Sequence, residues 1–411
     1  MPDIERLIPP AEALEIVLRH VQPLPVERVP LIETGGRVLA EPLIADQDLP
    51  PFPAATMDGF AVLFDDISPW REIIGEQFAG TVEQIEITPG TAARITTGAQ
   101  LPPGANAVIQ VEHTELMDDH VVIHQDHIRE GENIRPIGSD LRAGETLIEA
   151  GTVIGPAEIG LLASLGRVSV PVYRRPTVSV LSTGNEIVDP ALQPGPGQIR
   201  DSNSFSLTVA AAQAGTQVIW TGHGPDDTDA LRALLVERIA VSDIVLTSGG
   251  VSIGEKDLIK GLLRELGIVH FRKLFMKPGK PLNFATVGET LVFGLPGNPV
   301  SALVGFEIFV RTAMRVMTGQ KHPLPEMIPV TLEQDVTSGD RPEYQRAVVW
   351  ADQAGALRAR NTGSQSSARL MSFIGANALI LISPRNEPYR AGDRVEALLL
   401  GPVLSASEAA P

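Results

Sequence analysis

The sequence predicts a multidomain α/β plus β protein: a doubly wound α/β domain preceded by a small β module and followed by a second β domain. Three observations carry that expectation. Between Pro176 and about Gly319, short apolar runs at 178–181, 218–221, 244–247 and 291–293 alternate with helical segments at 204–215, 228–240 and 257–266. Continuous apolar strands alternating with helices fit a parallel sheet covered on both faces. From about 55 to 139 the texture changes to short β-prone runs, such as 82–87 and 121–124, separated by Pro89-Gly90, Pro103-Gly104 and Asp118-Asp119. After Pro323 a β texture with Pro and Gly turns returns and ends in a polar tail expected to be disordered.

The remaining segments follow in order. Pro9-Pro10 opens a helix within the first 25 residues, with Leu14, Ile16, Val17 and Val21 as its apolar face. Residues 35–42 read as helix end and loop, and Leu49-Pro50-Pro51-Phe52-Pro53 is a stiff connector. A short helix is expected around 157–165. A β module between two such flanking pieces suggests an insertion. The division is therefore 1–50 with 140–173 as an N-terminal domain, 51–139 as an inserted mostly-β domain, 174–322 as the α/β domain and 323–411 as the C-terminal β domain.

Composition narrows the function. A length of 411 residues exceeds one ordinary core, and 43% hydrophobic residues suit a globular chain. No apolar run reaches the roughly 18 residues that span a bilayer, and the acidic, proline-interrupted start does not resemble a secretory signal. A cytosolic protein without a membrane partner is expected. With no cysteine there are no thiolate nucleophiles and no Cys-based metal sites, and none of the eight histidines forms a metalloprotease pair. The net charge of −17 disfavours nucleic acid, which needs a broad basic face. The one concentrated basic stretch carries Arg272, Lys273, Lys277 and Lys280. Such a cluster is equally a solvated edge, but its Lys-Pro-Gly-Lys turn favours an anion site.

Small and polar residues concentrate where three apolar strands end: Ser182-Thr-Gly-Asn-Glu186, Ser248-Gly-Gly-Val-Ser-Ile-Gly-Glu-Lys-Asp257 and Gly294-Leu-Pro-Gly-Asn-Pro-Val-Ser301. Glycines there let backbone N–H groups approach a ligand, and following helix N-termini favour negative charge. One Gly loop is ordinary turn chemistry; three on successive strands point to an anion-binding face. Gly254 is followed by Glu-Lys-Asp, so the Lys-Ser/Thr of a P-loop is absent, and there is no GxGxxG turn after the first apolar strand. Glu186, Asp226, Asp227 and Asp257 recur at these loops. One acid is usually a helix cap, whereas several facing a phosphate call for Mg²⁺ between them. In the β module, Asp58-Gly59 and Thr97-Gly98 form polar turns, which a plain β-turn would also explain.

In series, Thr56-Met-Asp58-Gly-Phe60, Thr97-Gly-Ala99, Leu181-Ser-Thr-Gly-Asn-Glu186, Asp201-Ser-Asn203-Ser, Ser248 to Asp257, Lys277-Pro-Gly-Lys280-Pro and Gly294 to Ser301 resemble the molybdopterin molybdenumtransferases (MoeA and the gephyrin E domain). The resemblance covers nearly the whole chain. Phe60, Thr96, Asn185 and Arg200 depart from the usual Tyr, Met, Asp and Tyr.

The resemblance implies an elongated, L-shaped homodimer with a molybdopterin-binding, MogA-like α/β domain and a barrel-like C-terminal domain. It implies an enzyme that inserts molybdenum from molybdate into adenylylated molybdopterin with release of AMP, using Mg²⁺. The rivals are a molybdopterin adenylyltransferase, or a non-enzymatic scaffold on the same fold. Asp58, Thr97, Glu186, Asp226 and Asp257 would be catalytic, with Glu186 and Asp226 holding Mg²⁺. Arg135, Asp140, Gly249, Gly250, Ser252, Lys277, Lys280, Pro296, Pro299 and Ser367 would bind substrate, the β-module residues completing the partner subunit's cleft. Molybdopterin adenylyltransferase and molybdoenzyme chaperones are the implied partners.

Overall fold

The computed structural model describes residues 6–125, 127–225, 227–249 and 258–409. The chain forms two compact units: Met1–Ala40, Gly151–Pro156 and Ser169–Pro411 in one, Glu41–Ala150 and Ala157–Val168 in the other. Among the described residues no helix is long and apolar enough to cross a membrane.

The larger unit is built on a six-stranded sheet in the order Gln217–His223, Thr177–Ser182, Ile244–Ser248, Thr290–Leu295, Asn283–Val287, Ile268–Phe271. The first four strands are parallel, as their apolar runs predict. Alternate side chains feed opposite faces. Val178, Val180, Ile244 and Leu246 pack with Leu207 and Ala211 of helix Asn203–Gln213 and Val300 of helix Pro299–Gly305. Leu181, Val245 and Val292 pack with Leu231 and Leu235 of helix Thr228–Val241 and Ile259 and Leu263 of helix Leu258–Leu266. The sheet is therefore doubly wound.

It is not wholly parallel, which corrects the expectation. Asn283–Val287 turns back on Thr290–Leu295 with Val287 opposite Thr290, and Ile268–Phe271 adds antiparallel beyond it. Gly288, at φ 58°, sits in the two-residue turn that makes the hairpin. The N-terminal helix is also shorter than expected: it runs from Pro10 to Arg19, and the chain then enters strand Val26–Pro30, paired with Ser169–Tyr173.

The C-terminal strands close on themselves. Met327–Leu332, Arg394–Leu399, Ala378–Ile382, Glu343–Ala351 and Leu357–Asn361 pair in that order, and the last pairs again with the first. This five-stranded barrel is filled by Val330, Ala347, Val349, Ile380 and Ala397. The start of the polar tail is held, against the expectation of disorder: Leu404–Ser405 pairs with Trp350–Ala351, and the Glu408 carboxylate accepts the Ser405 amide at 2.8 Å. Closing that turn gives the tail polar partners that composition does not reveal.

The smaller unit holds a six-stranded sheet in the order Ala107–Gln110, Gly59–Val62, Thr91–Ile95, Trp70–Gln77, His120–Ile123, Thr114–Met117. Phe60, Val62 and Ile109 build one core, while Ala61, Ile95 and Val108 build another. The expected strand at 82–87 is irregular. The Gln77 side chain accepts the Glu83 amide and donates to the preceding Thr81 carbonyl, while the Ile87 amide donates to the Pro103 carbonyl. The helix expected around 157–165 is present at Pro156–Ser164.

Gly59 has no room for a side chain, because a Cβ there would lie 1.8 Å from the Ile109 carbonyl oxygen. Gly59→Ala should destabilise the smaller unit by about 3 kcal/mol or more, read as a urea transition moved to lower concentration. An unmoved transition would show that the strands part at no cost.

Candidate functional site

The carboxyl ends of the parallel strands open into a cleft of about 600 Å³. Its walls come from the three polar loops: Ser182, Thr183 and Glu186 at the end of strand Thr177–Ser182, Ser248 and Gly249 at the end of Ile244–Ser248, and Pro296, Gly297, Asn298 and Pro299 after Thr290–Leu295. Gly249 must be glycine. Its φ is +85°, and a Cβ would sit 2.3 Å from the Thr183 carbonyl oxygen.

A polar network holds these loops. Asp201 is buried, and its carboxylate accepts the Ser182 hydroxyl at 2.5 Å, the Ser204 hydroxyl at 2.6 Å and the Ser204 amide at 3.0 Å. Asn203 donates its amide N–H groups to Ser248 Oγ and to the Gly297 carbonyl, both at 2.7 Å. Loop ends from separate strands are thereby fixed by one short segment, Asp201 to Asn203. The strand pair Ile187–Val188 and Ile199–Arg200 forms a further wall with Glu186, whose carbonyl accepts the Ile199 amide at 2.7 Å.

The barrel contributes the 366–370 segment. Ala368 and Leu370 line the cleft, and Ser367 accepts from Asn298 Nδ2 at 3.0 Å through its hydroxyl. Behind this segment lies Arg346, fully buried, donating from Nε to Ser372 Oγ at 3.0 Å and from Nη2 to the Ser366 carbonyl at 3.3 Å. Its Nη1 has no partner among the described residues, and burial lowers its pKa to about 10. At the start of the same strand, Lys277 Nζ lies 3.1 Å from Glu343 Oε1.

Glu186, Gly249, Pro296 and Pro299 therefore meet in the cleft as expected, with Ser367 bonded at its edge. Lys277 and Lys280 do not line it; the next residue, Pro281, does. Asp226, Gly250, Ser252 and Asp257 lie outside the described residues. Asp227 is the cap of helix Thr228–Val241, its carboxylate accepting the Ala230 amide at 2.8 Å.

In the smaller unit, Asp58 Oδ1 accepts the Thr97 amide at 2.7 Å and its hydroxyl at 2.9 Å. The amide bond, then the hydroxyl bond, holds this exposed carboxyl below the ordinary aspartate range. Arg135 and Asp140 form an ion pair. Both pairs hang on strand Ala54–Ala55, which bonds the 97–99 turn on one side and Ile134–Arg135 on the other.

Residues 8–166 match the MoeA N-terminal region (domain I and II), residues 179–316 a probable molybdopterin binding domain, and residues 329–400 the MoeA C-terminal region (domain IV). The molybdopterin molybdenumtransferase of Haemophilus influenzae is 34% identical, over 91% of this chain and 93% of that protein. The chain belongs to the molybdopterin molybdenumtransferase family. The Bacillus subtilis member is 33% identical, over 96% of this chain and 94% of that protein. Gephyrin of Dictyostelium discoideum is 34% identical over 97% of this chain, which spans only 63% of gephyrin's length. A crystal structure of the MoeA protein of molybdopterin biosynthesis from Pyrococcus horikosii superposes with a TM-score of 0.82 at 32% identity, covering 97% of this chain and all of that one.

Apart from Ala368 and Leu370, the residues that line the cleft lie in the part matched as a molybdopterin binding domain. For Mg²⁺, which takes one or two carboxylates and completes its shell with phosphate oxygens and water, Glu186 offers an exposed carboxylate at the wall. Asp201 does not, because its oxygens are occupied. The described residues hold no cluster of three His, Asp or Glu suited to a metal. Glu186 with substrate phosphate fits the ion; a preformed protein cage does not.

Asp201, Asn203, Ser182, Ser248 and Arg346 are functional residues to which the sequence alone gives no role. The signal for the first four was an Asp-Ser-Asn-Ser run facing Ser residues at apolar strand ends. Arg346 gave none, since burial is not written in an Arg within a strand.

Thr97→Val removes the hydroxyl bond to Asp58 and keeps the amide bond. Because the folded pKa is depressed, the Asp58 midpoint in a carboxyl NMR titration should move up toward the ordinary aspartate value. An unchanged midpoint would remove the hydroxyl from the account.

Proposed function

We propose that this chain is a molybdopterin molybdenumtransferase, moving molybdenum from molybdate to the dithiolene sulfurs of adenylylated molybdopterin as its pyrophosphate bond is hydrolysed and AMP leaves. The observation that carries the reading is the polar cleft at the carboxyl ends of the parallel strands, in a chain of this family. The substrate brings the sulfur ligands, which suits a protein without cysteine.

Gly249 and the Pro296-Gly297-Asn298-Pro299 turn admit the substrate close to the backbone. Glu186 would hold Mg²⁺ together with substrate phosphate, where the ion neutralises negative charge; Asp226 is its proposed companion. Molybdate is an oxyanion and needs cationic and N–H donors. The proposed donors are Arg346, a buried guanidinium with a nitrogen unpartnered among the described residues behind the 366–370 segment, and Lys277 and Lys280 just before the wall residue Pro281. Asp58 and Thr97, with the Arg135–Asp140 pair, would act across a homodimer, completing the partner subunit's cleft. The setting is cytoplasmic.

The purified chain given adenylylated molybdopterin, Mg²⁺ and molybdate should release AMP only when molybdate is present and yield metal-loaded pterin. Loading of AMP from ATP would instead support an adenylyltransferase, and neither activity a scaffold. Asp58→Asn, at an exposed carboxyl, should fold normally and lose about 100-fold or more in rate; undiminished turnover would refute its assignment.

A further inference from the structure

The strand pair Ile187–Val188 and Ile199–Arg200 stands at the cleft wall, with Ile187, Ile199 and Arg200 all lining it. Arg200 is the one cationic residue among the described residues that line the cleft; the acids there are Glu186 and Asp201. Asp201 follows directly in sequence, yet its carboxylate is spent on Ser182 and Ser204.

Arg200 is instead fixed by neutral groups. Its Nε donates to the Pro190 carbonyl at 2.9 Å and the Leu192 carbonyl at 3.1 Å, and Nη2 donates to Gln193 Oε1 at 3.3 Å. Carbonyls orient a guanidinium without cancelling its charge. Among the described residues Arg200 forms no ion pair, and its Nη1 has no bond. Beside it, Ile199 is 58% exposed and pairs with Ile187 across the two strands. The exposed Ile199 and the half-buried Ile187, next to an oriented, uncancelled guanidinium, offer a shelf for a planar base and a fork for its phosphate.

We propose that Ile187, Ile199 and Arg200 form a nucleotide subsite, in which the isoleucines pack against the base and Arg200 binds the phosphate of a nucleoside monophosphate. It rests on the reading above in taking the nucleotide to be the adenylyl part of the substrate. Arg200 is then the determinant that separates the adenylylated substrate from one lacking the nucleotide phosphate.

The test is calorimetric titration of the full chain and its Arg200→Gln and Arg200→Lys variants with AMP, adenosine and inorganic phosphate. AMP should bind about tenfold more tightly than adenosine to the unaltered chain, as one charge-assisted bond predicts. Arg200→Gln should abolish that difference by weakening AMP alone, Arg200→Lys should restore part of it, and melting temperatures should stay together. Equal AMP affinity in Arg200→Gln would overturn the proposal. So would an equal loss for adenosine, which would mark a collapsed loop, or phosphate binding as tightly as AMP, which would remove the shelf. AMP discrimination in a chain with no molybdate-dependent AMP release keeps the subsite and sinks the insertion reading; release without discrimination does the reverse.

Discussion

Asp201 is a carboxylate taken out of water at the point where strand Thr177–Ser182, strand Ile199–Arg200 and helix Asn203–Gln213 converge. An ion in that position is tolerated only if its lone pairs are bonded, and Ser182 and Ser204 supply two hydroxyls and an amide for the purpose. Two residues on, Asn203 ties Ser248 to the Gly297 carbonyl and so joins the third and fourth strand ends. The cleft keeps its shape because these few bonds span loops that are distant in sequence. Removing one partner would leave the other buried and unpaired, which costs more than the bond itself contributes.

With the carboxylate internally satisfied, the negative charge that the described residues turn to the cleft is largely that of Glu186, and the positive charge that of Arg200. An anionic substrate then meets one acid that Mg²⁺ can offset and one guanidinium that carbonyls have oriented. Barrel residues complete the surroundings through the Asn298–Ser367 bond, with the buried Arg346 behind the same segment. The barrel thus closes one side of the site as well as the end of the chain.

The parallel strands were legible because burial on both faces writes continuous apolar runs such as 244–247, and the cleft because glycines and prolines cluster where those runs stop. The antiparallel edge was not read. Its only local mark is Gly288, and one glycine before a charged residue also suits an ordinary loop. The run at 82–87 looks like a strand because Val82, Ile85 and Ile87 carry strand propensity, but its Glu83 amide bonds the Gln77 side chain and its Ile87 amide the Pro103 carbonyl. Propensity yields to such tertiary bonds. Among the site residues, Glu186, Gly249, Pro296 and Pro299 stood in motifs. Asp201 stood in a motif too, but its organising role comes from burial, as does that of Arg346, and burial is a property of the folded chain. Lys277 and Lys280 stood in a motif too, yet they lie beside the cleft rather than in its wall.

The account turns on Asp201 as organiser of the cleft rather than as a group that touches substrate. Its most direct test is the affinity of molybdopterin for Asp201→Asn, measured by titration with folding monitored by circular dichroism. An amide cannot accept from two hydroxyls and an N–H as a carboxylate does, so the folded variant should bind at least about tenfold more weakly. Unchanged affinity in a folded Asp201→Asn protein would contradict the account.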